Sequence, residues 1–587
     1  MGVHINTKQG NLNCANVCAK RKNISCLASM PPALNILRVY TTHINIYVYE
    51  AGQWGHSNIL IFEKVGAINH KYFSTYILVL LTGLFIALVS GISIQKLEPT
   101  KGEKLARQYC GSCHLFPSPF LLDKKTWKES VLPNMGWRLG IKKAGKDPFE
   151  KMKPEEAVLV QQLNIYPDSA HLSKEDWQLI VDYYVRNAPD QPLMIENTLP
   201  DSKDSLRFQA NPLFIGDQGA STIPKLTRTT LLKYDSLESK LYVGNAYNEI
   251  YVLDSLFQID NYWEVVNPPV DVNFTPKLPA SLLTIGSIAP SEEKKGFIFP
   301  LDSVALNKPT TQLISSLARP VQFAKGDING DGQDDMVVAE FGNHTGKLSW
   351  FDGGDPKKKK ILKYQAGIRK VVIQDMNRDN LPDLVVMGAQ AYESIMLFIN
   401  KGDGNFDDKI VLQFPPVYGL SHFELADFNK DGYWDILMTN GDNWDLSAIR
   451  KSYHGVRIFL NDRKNNFKEA FFNTVFGASK AMAHDFDGDG DLDIAAISFY
   501  DDPYDTMEGF VYFENLGDMK FSKLMLKEAA VGKWLTMELG DLDHDGDKDI
   551  ILGCYFHNVA EMTKFLGRGF VNFPQALVIW NNTIKSK

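Results

Sequence analysis

Cysteine is scarce: six in a chain of 587 residues are too few for a disulfide scaffold. Cys14, Cys18 and Cys26 fall near the start, Cys110 and Cys113 form a CxxC pair, and Cys554 stands alone. An excess of positive charge is also missing. With 62 Lys plus Arg against 70 Asp plus Glu, the formal net charge is −8, which excludes the basic surface a nucleic acid needs. Long hydrophobic runs are absent except at residues 72–95, so a polytopic membrane protein is excluded. A hydrophobic content of 44% with 22% charged residues excludes a mainly disordered chain. Glycine and proline are plentiful, at 43 and 28, and imply many turns and short strands. At this length two or more folded units are expected.

The one apolar run carries no charge from Tyr72 through Ile94 and is long enough to cross a hydrocarbon layer of about 30 Å. It reads as a transmembrane signal anchor, or as the core of a signal peptide with Val89-Ser90-Gly91 as a small-residue cleavage site. Residues 1–71 show no sustained helical or alternating period and read as an over-extended start, with a short cytosolic tail as the alternative. Cys14, Cys18 and Cys26 have no fourth ligand nearby, so they do not make a zinc site.

Residues 96–195 have helical spacing. Short helices are expected over Gly102 to Tyr109 and Lys124 to Val131, and a longer one over Ser173 to Asn187, opened by Ser173 with Asp176 three residues on. A polar linker at 196–205 ends this domain. Within it, Cys110-Gly111-Ser112-Cys113-His114 is CxxCH, the c-type haem attachment pattern. Two thiols on one turn can each add to a haem vinyl group, and the adjacent imidazole of His114 is then placed as the proximal iron ligand. Met135 is the candidate distal ligand, with Met152 as its rival. The segment resembles a class I cytochrome c domain, and from CGSCHLFPSP through TWKESVLPNMGWRLG to EDWQLIVDYYVRNAP it is similar to the small cytochrome c-like domain fused to calcium-binding repeats in bacterial surface proteins. The resemblance implies one covalent haem c and places everything after residue 95 outside the cytoplasm, periplasmic or at the cell surface.

From residue 206 to 587 the pattern changes to short strands between Gly and Asp turns, and five nine-residue acidic loops recur. Their ligand positions 1, 3, 5, 7 and 9 are Asp327, Asn329, Asp331, Gln333 and Asp335 in the first loop and Asp375, Asn377, Asp379, Leu381 and Asp383 in the second. The third has Asp427, Asn429, Asp431, Tyr433 and Asp435. The fourth has Asp485, Asp487, Asp489, Asp491 and Asp493, and the fifth Asp541, Asp543, Asp545, Asp547 and Asp549. Oxygen ligands at 1, 3, 5 and 9, with a backbone carbonyl at 7, can wrap a hard cation in one tight loop, as in an EF-hand. Flanking helices and a Glu at position 12 are missing, so these are not EF-hands. Position 6 must bend sharply and is Gly332, Asn380, Gly432, Gly490 and Gly546, the residue types that best tolerate positive φ.

Each loop leads into an apolar run and then a second strand, and the repeat resembles FG-GAP and VCBS repeats of the integrin-α type. That resemblance implies a β-propeller with one calcium loop per blade, hence about five bound calcium ions. Residues 222–266 and 270–317 offer the same strand order without metal ligands, so seven blades are expected. The last blade runs out of chain near Trp580, and a strand near Leu206 to Phe214 is expected to complete it as a clasp. The fold class is therefore an all-β seven-bladed propeller preceded by a small all-α cytochrome c-like domain and one N-terminal transmembrane or signal helix.

This combination reads as an extracytoplasmic haem c protein with electron transfer at the haem and a calcium-stabilised propeller for a redox partner protein or surface ligand. It is tied to the membrane through residues 72–95 if these are uncleaved, and no nucleic acid is involved. Two alternatives stand beside it: a surface adhesion or polysaccharide-binding protein, and a haem-linked dehydrogenase with substrate in the propeller channel. No catalytic cluster is recognisable. Trp434, Trp444, Tyr453 and Trp534 are candidates for an aromatic binding surface, and His422, His454, His484 and His557 for a second metal site.

Overall fold

A computed structural model describes residues 98–582 apart from 143–146, 151, 194–198, 200–206, 217–225, 276–277, 302–313, 443–448, 501–506 and 571, together with the backbone of three strands nearer the start. The apolar run 72–95, the first three cysteines, most of the linker and Trp444 lie outside the described residues. Among the described residues no helix is long and apolar enough to cross a membrane. The chain divides into two compact units, Met1–Pro99 and Thr100–Lys587.

In the first unit, strands Leu34–Tyr40, Asn45–Ala51 and Ile59–Phe62 form an antiparallel sheet in that order. Residues 1–71 therefore hold regular structure that an absence of period did not suggest. The segments LNILRVY and NIYVYEA are rich in β-branched and aromatic residues, and that composition favours strands even where apolar and polar positions do not strictly alternate.

The second unit opens with helices. Helix α1 spans Lys101–Cys110, with the Thr100 hydroxyl accepting from the Glu103 N–H at 3.2 Å as an N-cap. Helix α2 starts at Lys124–Thr126, widens into a π turn over Trp127–Val131 and continues through Leu132–Arg138. It thus runs seven residues beyond the expected end at Val131. Pro133 looks like a stop signal, but the wide turn lets Leu132 bond back to Trp127 and relieves the crowding a proline imposes on the preceding turn. Helix α3, Pro154–Gln162, was not legible because Val160 is its only buried residue. Helix α4, Lys174–Asn187, begins as expected, with Ser173 accepting from the Asp176 N–H at 3.0 Å. Helices α1 and α4 cross at Gly102, where a Cβ would lie 2.4 Å from the Leu179 carbonyl oxygen, so only glycine fits. Trp127 and Tyr184, 4.4 Å apart and fully buried, anchor the core between α2 and α4.

Seven four-stranded antiparallel sheets follow. Blades 1 to 6 span residues 229–264, 269–317, 320–364, 368–413, 420–474 and 478–525, and blade 7 spans 534–581. The outermost strand of blade 7 is Phe208–Leu213, which pairs along Ala576–Asn581 from Phe208↔Asn581 to Leu213↔Ala576. The clasp falls where strand counting placed it, and it closes the ring from both ends of the propeller segment. The second strand of each acidic-loop blade, such as Asp335–Glu340 or Asp493–Ser498, is buried at every residue, because both faces lie against neighbouring blades.

Strand order sorts the loops onto two faces. The acidic loops join first to second strands and lie on one face. The loops joining second to third strands, and the links between blades, lie on the other, and there the helical segment docks. Asn343 of blade 3 donates to Glu156 at 2.6 Å, Lys153 pairs with Glu293 of blade 2 at 3.1 Å, and Tyr453 of blade 5 donates to the Leu121 carbonyl at 3.2 Å.

Phe208 is 6% exposed and packs 4.9 Å from Tyr512 and 6.2 Å from Phe486, so the clasp is held by side-chain burial as well as by its ladder. The substitution Phe208→Ala is expected to lower the unfolding free energy by about 3 kcal/mol in denaturant titration. An unchanged midpoint would show that the clasp does not close the ring.

Candidate functional site

The five acidic loops share one backbone path. At position 6, Gly332, Asn380, Gly432, Gly490 and Gly546 have φ of +84°, +67°, +82°, +93° and +97°, as the bend requires. Position 4 is also left-handed, at Gly330, Arg378, Lys430, Gly488 and His544, with φ between +56° and +77°. Three long side chains thus occupy a strained conformation that the sequence did not flag. The position 5 carboxylate accepts from the position 7 N–H in every loop, at 2.8–3.3 Å. In the first four loops the position 1 carboxylate accepts from the position 6 N–H at 2.8–2.9 Å.

These bonds leave carboxylate oxygens turned inward. Asp485, Asp487 and Asp493 bring ligand atoms within 4.8 Å of one another, and so do Asp541, Asp543 and Asp545. In the fifth loop Asp541 Oδ1 is buried with no hydrogen-bond partner. Convergent, partly buried carboxylate oxygens, gathered by backbone donors and in the fifth loop including the unpartnered Asp541 Oδ1, suit a hard divalent cation. Side chains also link consecutive loops. Lys430 reaches Asp491 at 2.6 Å, and Arg378 stacks 3.8 Å over Tyr433 while donating to the Gly432 carbonyl.

The position 9 aspartates do more than close a loop. Asp335, Asp383, Asp435, Asp493 and Asp549 are fully buried. Each accepts from the N–H of position 2 of its loop, at 2.9–3.1 Å. The other oxygen of each accepts from an N–H at or just past the end of the third strand, at 2.6–2.9 Å. In four blades that second donor is an asparagine, and its side chain caps the turn. Asn400 donates to the carbonyls of Pro382 and, in the preceding blade, Ile328; Asn581 donates to Phe486 of the preceding blade. Burial pushes the Asp435 carboxyl up to about 6 and those of Asp493 and Asp549 up to about 7, a direction that a bound cation would oppose.

In the helical segment, Cys110 ends α1 and Cys113 and His114 follow in the next turn. Cys110 is half-buried, Cys113 exposed and His114 half-buried. His114 Nδ1 lies 3.1 Å from the Leu115 carbonyl, which orients the ring and leaves Nε2 to face outward from that bond. Burial, with Arg138 nearby, lowers the imidazole's proton affinity, so it is a neutral donor near pH 7. Cys110 and Met135 pack on the same apolar cluster, with Trp127, Leu132 and Tyr184, whereas Met152 is not part of it. Burial, with Cys113 beside it, pushes the Cys110 thiol up to about 11 despite a contact from Tyr184.

Other expected groupings do not form. Tyr453 is half-buried and donates to the Leu121 carbonyl on the opposite face, Trp534 is fully buried within blade 7, and Trp434 sits at 37% exposure on the acidic-loop face, so these three make no common surface. His422, His454, His484 and His557 do not gather either; among the described residues the metal-competent groups are the two aspartate sets. Cys554 is a buried strand residue, as expected, with its thiol pushed up to about 12.

A family model for the FG-GAP-like repeat matches residues 327–386, 375–438 and 485–552. Integrin alpha-PS5 of Drosophila melanogaster is 30% identical over 140 residues, which are 21% of this chain and 14% of that protein, so the match spans a small part of its relative. Two crystal structures of BBS1N in complex with ARL6DN align at 10% and 12% identity, with TM-scores of 0.35 and 0.36. They cover 60% and 66% of this chain and 91% and 97% of theirs, and at those scores they add nothing to the fold already described. The three matched stretches contain all five acidic loops, which therefore resemble FG-GAP-like repeats, and the ring that carries them is a seven-bladed β-propeller.

Removing a position 9 carboxylate strands two buried backbone donors, each costing about 1–3 kcal/mol. The substitution Asp435→Ala is therefore expected to lower stability by about 3 kcal/mol even in excess EGTA, read from urea unfolding. A loss seen only with calcium present would reduce Asp435 to a metal ligand.

Proposed function

We propose that the protein is an extracytoplasmic haem c protein that exchanges electrons at its small helical domain and uses a calcium-stabilised propeller to engage a redox partner or surface ligand. The observation that carries this reading is the Cys110-Cys113-His114 turn. Its first thiol ends a capped helix, the second follows three residues on, and its imidazole is oriented through Nδ1 with Nε2 left for a metal. A CxxC redox pair would need a thiol with lowered proton affinity, whereas burial raises that of Cys110. Apolar surface is available beside the motif, with Leu115 and Phe120 exposed by 40% and 48%.

In this reading Cys110 and Cys113 would hold the haem through thioether links, with His114 Nε2 and the Met135 sulfur as its iron ligands. A haem held there supplies one-electron exchange at iron. The chain's own part is to orient His114 through the Leu115 carbonyl, to exclude water with the Trp127 and Tyr184 core, and to hold the domain against blades 2, 3 and 5. The acidic loops, about five calcium sites, stiffen the opposite face and perform no chemistry. The FG-GAP-like repeats and the local similarity to an integrin α chain support a second reading, in which the propeller is an adhesion module and the haem is secondary.

Expression of the full chain with a cytochrome c maturation system tests the first reading. One haem per chain is expected to stay attached through denaturation and to give a reduced low-spin spectrum, which Met135→Leu should alter. Protein that folds and binds calcium but retains no haem would overturn it and leave the adhesion reading.

A further inference from the structure

Lysine is concentrated on the outer rim of blade 3, where Lys357 to Lys360 are consecutive and Lys363 follows three residues on. The run leads into the outermost strand of that blade, Lys359–Tyr364, which pairs with the third strand, Lys347–Phe351, and ends the sheet. A run this dense in lysine marks a surface for polyanions. It stands out in a chain whose formal net charge is −8.

The register sorts these side chains. Lys347 stands opposite Tyr364 and Phe351 opposite Lys359, so the four share the side of the sheet on which Phe351 packs against blade 2. There Lys347 and Lys359 lie 3.4 and 2.9 Å from the same carboxylate, Glu340, which is fully buried. Glu340 also accepts from the Ser349 hydroxyl and, at 2.8 Å, from the Ala318 N–H. One carboxylate thus serves two ammonium groups, and one positive charge is left over.

More positive charge gathers around that pair. Lys294, on the loop joining the second and third strands of blade 2, is exposed and makes no ion pair among the described residues. Burial lowers the proton affinity of Lys359 against the pull of Glu340, and Lys347 and Lys294 add to that lowering, so the three cations sit close together. Lys357 is exposed without an ion pair among the described residues, and Lys360 lies 4.3 Å over the Trp350 ring instead of beside a carboxylate. The acids nearby are taken up elsewhere: Asp352 lies 3.5 Å from Lys358, Asp408 lies 2.6 Å from Lys363, and Asp355 accepts from the Lys357 backbone N–H at 2.8 Å. Tyr364, beside Lys347, is 79% exposed and offers a flat apolar ring of the kind on which the C–H face of a sugar can lie.

We propose that the rim of blade 3, where it meets blade 2, binds an anionic polysaccharide, with carboxylate or sulfate groups paired to Lys294, Lys347 and Lys359 and a sugar ring laid on Tyr364. This deepens the reading of the propeller as a module for a surface ligand and rests on it. The shape of the patch selects the partner. It is one strand wide, with Asp352 and Asp355 at one end and Asp408 on the blade 4 side. A nucleic-acid duplex or a flat bilayer would bring phosphates against those carboxylates, whereas a thin chain can follow a single strand. Each exposed ion pair contributes little, so the affinity comes from several made together and falls as salt rises.

Fluorescently labelled hyaluronate, which carries carboxylates, and chondroitin sulfate, which adds sulfates, test this when the full calcium-loaded chain is titrated into each and anisotropy is read, with neutral dextran as the control. At least one is expected to bind while dextran does not, with affinity falling about tenfold between about 50 and about 200 mM salt. Lys294→Gln combined with Lys347→Gln leaves Glu340 its closer partner, Lys359, and should weaken binding at least about fivefold, whereas Lys520→Gln on blade 6 should not change it. Thermal unfolding shows whether the double variant is folded, and Lys294→Gln with Tyr364→Ala, both at exposed positions, gives a second route to the same loss. Binding of neither polysaccharide would overturn the proposal. Binding that the folded variants leave unchanged would overturn the site while keeping the propeller a binding module, and neither result bears on attached haem. Equal affinity for single-stranded oligothymidylate or for phosphatidylglycerol vesicles would overturn the choice of a polysaccharide.

Discussion

A buried carboxylate that accepts two backbone N–H groups holds each acidic-loop blade together. One oxygen of Asp335, Asp383, Asp435, Asp493 or Asp549 fixes the start of the acidic loop, and the other fixes the end of the third strand. The side chain therefore ties the turn that would hold a cation to the turn beside it. In blades 4 and 7 the asparagine at that second turn reaches the preceding blade, so the same corner also sets blade spacing. Without this acceptor, two donors would be buried unpaired, and the acidic turn would lose the framework that gathers its oxygens.

Charge follows from that architecture. Seventeen of the 70 acidic residues occupy loop positions 1, 3, 5 and 9, so the net charge of −8 belongs largely to one face of the ring. Five divalent cations would bring the formal sum to about +2. On the axis the balance is of another kind, with Lys233, Lys370 and Lys480 against the carboxylates of Asp271, Glu424 and Glu538. The two faces consequently do different things: one is stiffened by its acidic turns, and the other carries the helical domain through Asn343, Glu293 and Tyr453.

Much of this was legible because it is local or countable. The nine-residue loops announce themselves by spacing, and a ring needing a fourth strand for its last blade pointed to the segment that became Phe208–Leu213. Contacts between distant residues were not legible. Lys370 and His422 are 52 positions apart and meet only because inner strands converge on an axis. The left-handed backbone at Arg378 and Lys430 leaves no mark, since neither residue type favours positive φ. The expected end of α2 was misjudged because Pro133 is read as a breaker unless a wide turn is foreseen. The aromatic group dissolved because spacing in sequence says little about which face of a blade a residue meets.

The protein is thus a ring whose acidic turns are pre-arranged by buried aspartates, with a small helical domain seated on the opposite face. The most direct measurement is calorimetric titration of the EGTA-stripped full chain with Ca²⁺, followed by thermal unfolding. Close to five sites and a clear rise in unfolding temperature are expected. No binding heat and an unchanged unfolding temperature would contradict a propeller built on cation-closed turns.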